Sequence, residues 1–71
     1  VTAEYSVYQF FEDGSYERVR EFVEAREAVE AARHYTSNVA VKVGVVTRVI
    51  ITDGGDHICF EWIAGKGITF A

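Results

Sequence analysis

The chain has no proline and one cysteine, Cys59, among its 71 residues. Without proline there is no Pro-rich spacer, and no linker, low-complexity tract or repeat interrupts the sequence. A single thiol excludes an intrachain disulfide, and no Cys/His cluster has zinc-ligand spacing. Long apolar runs are missing too: Val39–Val46 is interrupted by Lys42 and is far too short to cross a bilayer. The first nine residues carry neither a basic start nor a long apolar stretch, so no signal peptide or membrane anchor is expected there. Cations are scarce, with seven Lys plus Arg against eleven Asp plus Glu and a net charge of −4. Such a balance repels a phosphate backbone unless the cations cluster, which disfavours nucleic acid. A lone thiol with no export signal points to the cytoplasm.

Aromatic residues are what the chain has in excess: ten of its 71 residues are Phe, Tyr or Trp, a heavy load for one small interior. Residues 1–71 make a single domain. A domain this short buries only about 60% of the surface its unfolded chain exposes, so it commonly needs reinforcement. With disulfide and metal excluded, association is the reinforcement that remains.

Two segments read as β-hairpins. In the second, Thr47–Asp53 and Asp56–Ile63 flank Gly54-Gly55. A two-residue loop there would oppose Asp53 to Asp56 and fix the register. Ile51 then faces Ile58, Val49 faces Phe60 and Thr47 faces Trp62 on one side. Thr52 faces His57, Ile50 faces Cys59 and Arg48 faces Glu61 on the other. In the first hairpin, residues 4–11 are rich in aromatic and β-branched types and precede Asp13-Gly14. Residues 15–23 return as a strand, with a helix capped by Ser15 as the competing reading. A bulged turn with Gly14 left-handed opposes Val7 to Val19 and is preferred over a two-residue turn opposing Phe11 to Tyr16.

From Glu24 to Val43 the period becomes helical. Ala25, Ala28, Val29, Ala32, Tyr35, Val39, Ala40 and Val43 share one side, with Val41 as the misfit. Glu24 and Glu27 at the start, and Lys42 and Gly44 at the end, suit a single long helix. The competing reading breaks it at Thr36-Ser37-Asn38 and makes Val39–Val46 a strand. Ala64–Gly67 is a loop and Ile68–Phe70 a possible short final strand. The expected fold is α+β: two layers, one long helix packed on an antiparallel sheet in the order ββαββ, with Tyr5, Val7, Phe60 and Trp62 meeting Ala28, Ala32 and Tyr35.

The candidate chemical groups are sparse. Asp53, Asp56 and His57 surround a turn, but Asp and Gly are what tight turns use, and no bidentate glutamate follows at calcium-loop spacing. His34 and His57 have no nucleophile at a recognisable offset, and Cys59 reads as a small apolar residue. Gly65-Lys66-Gly67 lacks the remainder of a phosphate loop. Arg18, Arg20 and Arg48 lie among Tyr8 and Phe10, a pattern that single-stranded RNA readers use, but cross-strand charge pairing with Arg stems covering aromatic rings is the favoured explanation. No catalytic set, metal site or cofactor is expected.

Strand, Asp13-Gly14 turn, strand and Ala/Glu-rich helix together resemble the HicB-like antitoxin domains over about half of the chain, without that family's Pro/Gly segment before the helix. The resemblance implies a small regulator or nucleic-acid binder and carries over no residues. The residues themselves favour a noncatalytic interaction module. One helix covers one sheet face, leaving Tyr8, Phe10, Arg18, Arg48, Ile50, Cys59 and Ile63 as the candidate interface of a homodimer or for another protein partner, with no membrane contact. A third reading is a ligand pocket at the helix–sheet or dimer seam, lined by Tyr35, His34, His57 or Glu61.

Overall fold

The computed structural model describes residues 3–71; Val1, Thr2 and the side chain of Ala40 lie outside the described residues. Strands β1 (Tyr5–Phe11) and β2 (Tyr16–Val23) are followed by helical segments α1 (Ala25–Tyr35) and α2 (Val39–Lys42). Strands β3 (Val46–Thr52), β4 (Ile58–Ile63) and β5 (Gly67–Phe70) complete the chain. All five strands form one sheet in the order β2-β1-β3-β4-β5, and every neighbouring pair is antiparallel. The α+β class, the ββαββ order and the short last strand are those the sequence predicts. Residues 16–23 are strand, not helix. Among the described residues, no helix is long and apolar enough to cross a membrane.

The single long helix is not what forms. It stops where the competing reading placed the break, because Thr36 and Ser37 hydroxyls donate to the Arg33 carbonyl (3.2 and 2.8 Å) and satisfy the end of α1. Asn38 then caps a new start, its Oδ1 accepting from the Val41 amide at 3.2 Å. The following segment is one helical turn, and β3 begins only at Val46, so Val39–Val46 is not a strand. The break also rotates the apolar pattern. Val41, the misfit on a continuous wheel, packs against the core, while Val39 and Val43 face solvent.

The buried cluster joins Val7, Val46, Val49 and Ile51 of the sheet to Ala28, Ala31 and Ala32 of α1. Three alanines let the helix approach the valines closely. Tyr5, Phe60, Trp62 and Tyr35 pack at its margin as expected. Ala31 was not on the expected stripe, and Val29, which was, is 49% exposed. The reason is lateral placement: α1 contacts β1, β2 and β3. Arg20 on β2 fastens that side, 3.7 Å from Glu27 and with its guanidinium 5.9 Å from the Tyr35 ring centre.

The loops joining β1 to β2 and β3 to β4 each contain three residues. Glu12-Asp13-Gly14 is closed by Phe11 N–H to Ser15 O at 2.8 Å, and Gly54-Gly55-Asp56 by Asp53 N–H to His57 O at 3.0 Å. The third loop residue must be left-handed: Gly14 has φ 90° and Asp56 φ 62°. The bulged first turn is thus the one observed, pairing Tyr8 with Arg18 and Phe10 with Tyr16. Val7 nonetheless faces Arg20, since Val19 is an extra residue on β2. The second hairpin differs from the two-residue reading by two positions, with Val49 opposite Trp62 and Ile51 opposite Phe60. The longer loop contributes one position and a bulge at Cys59 the other, because Thr52 pairs with Ile58.

A further left-handed residue is out of place chemically. Phe22 has φ 54° where β2 turns toward α1, and the residue is 63% exposed, so little packing offsets the strain. Opposite substitution effects are expected at Gly14 and Phe22. Gly14→Ala should cost about 1–2 kcal/mol, and Phe22→Asn should gain about 1 kcal/mol. Urea unfolding followed by Trp62 fluorescence measures both; a loss of stability in Phe22→Asn would show that the Phe22 ring is structurally required.

Candidate functional site

The two slips in the second hairpin decide which side chains share a face. Together they restore parity, so Val49, Ile51, Phe60 and Trp62 remain on the helix side and Arg48 and Ile50 on the other. Between loop and bulge, parity is reversed. Ile58, expected beside Trp62, lies on the helix-free face with Arg48, Glu61, Thr69 and Phe70. Cys59, expected in the interface, packs instead against the core, its Sγ 3.4 Å from the Ile51 carbonyl. Burial pushes its thiol pKa up, with the charges of Asp53 and Glu4 adding to the effect.

The helix-free face is an aromatic and cationic lattice. Tyr16 lies 5.9 Å from Tyr8 and 5.5 Å from Phe10, ring centre to ring centre. The Arg18 guanidinium stands 5.4 Å above Tyr8, and that of Arg48 4.8 Å above Phe10. Arg18 pairs with Glu21 at 2.8 Å, and Arg48 Nε pairs with Glu61. Arg48 and Glu61 are not directly opposite, as the sequence register had them, but meet diagonally, since Arg48 faces Ile63 across the ladder. Glu61 also accepts from Thr69 Oγ1 at 2.8 Å, and that bond, followed by the Arg48 bond, holds its carboxyl below the ordinary value. Of the residues expected here, Tyr8, Phe10, Arg18, Arg48, Ile50 and Ile63 share this face. Ile50, however, is only 6% exposed. The exposed apolar groups are Tyr16, Ile58 and Phe70, which the sequence reading did not single out. Their signal was present for Tyr16, in the bulged-turn register that sets it beside Phe10.

The loop tip has a simpler explanation than cation binding. Asp53 Oδ1 accepts from the Gly55 and His57 amides at 2.9 and 3.1 Å, so this carboxylate is the internal brace of its own turn. Those two bonds lower its pKa, with a smaller contribution from the His57 ring, whose Nδ1 is 3.6 Å away. Asp13 makes the matching brace in the first loop, accepting from the Ser15 hydroxyl at 2.6 Å and amide at 2.9 Å, which lowers its pKa likewise. Among the described residues, no three His, Cys, Asp or Glu side chains gather as a metal site. His34 stacks edge-on against Tyr35, with ring centres 4.9 Å apart.

Of the expected pocket liners, His34 and Tyr35 touch, but His57 at the loop tip and Glu61 on the helix-free face lie apart from them. An apolar trough does exist elsewhere on the helix side, where α1 stops short of β4 and β5. Its larger part, about 510 Å³, lies among Val29, Ala32, Ile51, Phe60, Trp62 and Ile68. The helical spacing of Ala25, Val29, Ala32 and Thr36 along α1 forms one wall. A pocket at the helix–sheet seam was among the sequence expectations, but its liners are these apolar residues and not the polar ones expected.

Two measurements follow from these shifts. Asp13, Asp53 and Glu61 have folded pKa values below their ordinary 3.8, 3.8 and 4.5, so their stabilisation is fully present above those values and disappears as the pH falls through the folded ones. The urea midpoint should therefore fall on acidification from about pH 5 to about pH 2, and less steeply in Asp53→Asn. A midpoint independent of pH would show that the braces contribute nothing. Cys59 should react with iodoacetamide at pH 8 more slowly in the folded protein than in urea; equal rates would contradict its raised pKa and packing.

Compared with protein-family models, with curated proteins and with solved structures, the chain matches none.

Proposed function

We propose that this chain is a noncatalytic interaction module that forms a homodimer by packing its helix-free sheet face against a second copy. The observation that carries this reading is the one-sidedness of the cover. The core cluster holds α1 and Val41 of α2 on one side of the sheet, while Tyr16, Ile58 and Phe70 stay exposed on the other at 62%, 41% and 54%. Three exposed large apolar side chains spread over β2, β4 and β5, with Tyr8 and Phe10 between them, make an extended patch.

Charge supports a second copy as the occupant. The whole chain carries −4, but Arg18, Arg48, Glu21 and Glu61 on this face are two balanced pairs. Two such faces meet without like-charge repulsion, and a two-fold axis sets aromatic rings against aromatic rings at the sheet-to-sheet spacing of ~10 Å. Glu21 and Glu61 occupy the same arginines that a phosphate backbone would need, which favours protein over nucleic acid. The two-layer subunit then becomes the outer half of a four-layer assembly, and a cytoplasmic setting suits its unpaired thiol.

Sedimentation velocity at micromolar concentration should show a species of twice the 8.0 kDa chain mass, with a melting temperature that rises with concentration. Tyr16→Lys combined with Phe70→Lys should give a folded monomer, because both sites are exposed. Ile50→Lys is expected to unfold the subunit instead, since Ile50 is already covered by its neighbours. A strictly monomeric native chain overturns the proposal, and a dimer unaffected by the double variant moves the contact to another face.

A further inference from the structure

The trough on the opposite side of the sheet has a chemistry of its own. Its walls are Val29 and Ala32 of α1, its floor Ile51, Phe60 and Trp62, and its outer rim Ile68, which is 64% exposed. A smaller extension of about 240 Å³ shares Val29, Ile51 and Phe60 and continues under the start of α1 to Tyr5 and Cys59. The whole trough follows α1 for ~16 Å. One charged residue lines it: Arg33, beside Thr36 at the C-terminal end of the helix.

Arg33, on α1, differs from the arginines of the sheet. Arg18, Arg20 and Arg48 each stand within salt-bridge distance of a carboxylate, whereas among the described residues neither Arg33 nor Arg26 has such a partner, and of those two only Arg33 lines the trough. Its guanidinium is not needed to cap the helix either, because Thr36 and Ser37 already serve the Arg33 carbonyl. An acidic protein thus keeps an unneutralised cation at one end of an apolar slot. A slot of this size, apolar with a single orienting charge, is built like a small-ligand site.

We infer that the trough between α1 and the β4–β5 hairpin binds an amphipathic monocarboxylate, with the carboxylate on Arg33 and the apolar body lying over Phe60 and Trp62 toward Cys59. The planar guanidinium takes a carboxylate through two parallel N–H donors. A linear acyl chain of about ten carbons suits a slot of ~16 Å. This site lies on the far side of the sheet from the proposed dimer face, so each stands or falls without the other.

The test is titration of the native protein with decanoate and, separately, with decylammonium, read by Trp62 fluorescence and by the methyl resonances of Val29 and Ile68. Decanoate should bind saturably and about tenfold more tightly than decylammonium, as one charge-assisted contact requires. Arg33→Gln should remove that preference while keeping weak binding of both probes. Val29→Asp, at an exposed position, should abolish decanoate binding without unfolding the chain. Tyr16→Lys, on the other face, should leave it unchanged. Absence of saturable decanoate binding, equal affinity for the two probes, or an Arg33→Gln protein that keeps the preference would each overturn the assignment.

Discussion

The arrangement depends on a mismatch of widths. Five strands place the two edge strands ~19 Å apart, while one helix with its side chains is about 10–12 Å across. Because Arg20 and the alanine face draw α1 toward β2, β1 and β3, the helix cannot also cover β4 and β5. The trough on the helix side and the bare reverse face both follow from that. A second helix of normal length would have closed the first, but the hydroxyls of Thr36 and Ser37 end α1 after 11 residues, and α2 is a single turn.

Much of the architecture was legible because strand alternation and helical period are properties of short windows. The element order ββαββ, the β2 assignment and the Val49/Ile51/Phe60/Trp62 face all rest on such local patterns, whereas the spatial order β2-β1-β3-β4-β5 depends on long-range pairing that they do not encode. The loop of the second hairpin was not legible, since Gly54-Gly55 fits a two-residue turn as well as the first two positions of a three-residue one. What selected the longer loop is the Asp53 carboxylate, which braces the Gly55 and His57 amides and lets Asp56 take the left-handed position. A bulge then corrected the parity downstream. The reading of Ile58 and Cys59 failed because Ile58 lies between the two slips and Cys59 is the bulged residue itself. Val29 and Ala31 were misjudged for a different reason: a helical wheel fixes which residues share a stripe, but the lateral position of the helix on its sheet is set by contacts from β2.

The candidate surfaces divide along chemical lines. On the helix-free face Arg18 and Arg48 are already matched, by Glu21 and Glu61, and each stands over an aromatic ring. The charge of these groups is balanced within the face, and the proposed self-association rests on that balance. On the helix side the slot is narrow, apolar and holds one unmatched cation, which suits an anion with an apolar body.

Solvent paramagnetic relaxation by a neutral gadolinium chelate, measured on the native protein, tests the division of covered and open surfaces most directly. The account predicts that the Tyr16 and Phe70 rings, exposed in the isolated subunit, are protected in the assembly, while Ile68 and Val29 methyls relax strongly. Strong relaxation of Tyr16 and Phe70 together with protected Ile68 and Val29 would contradict it.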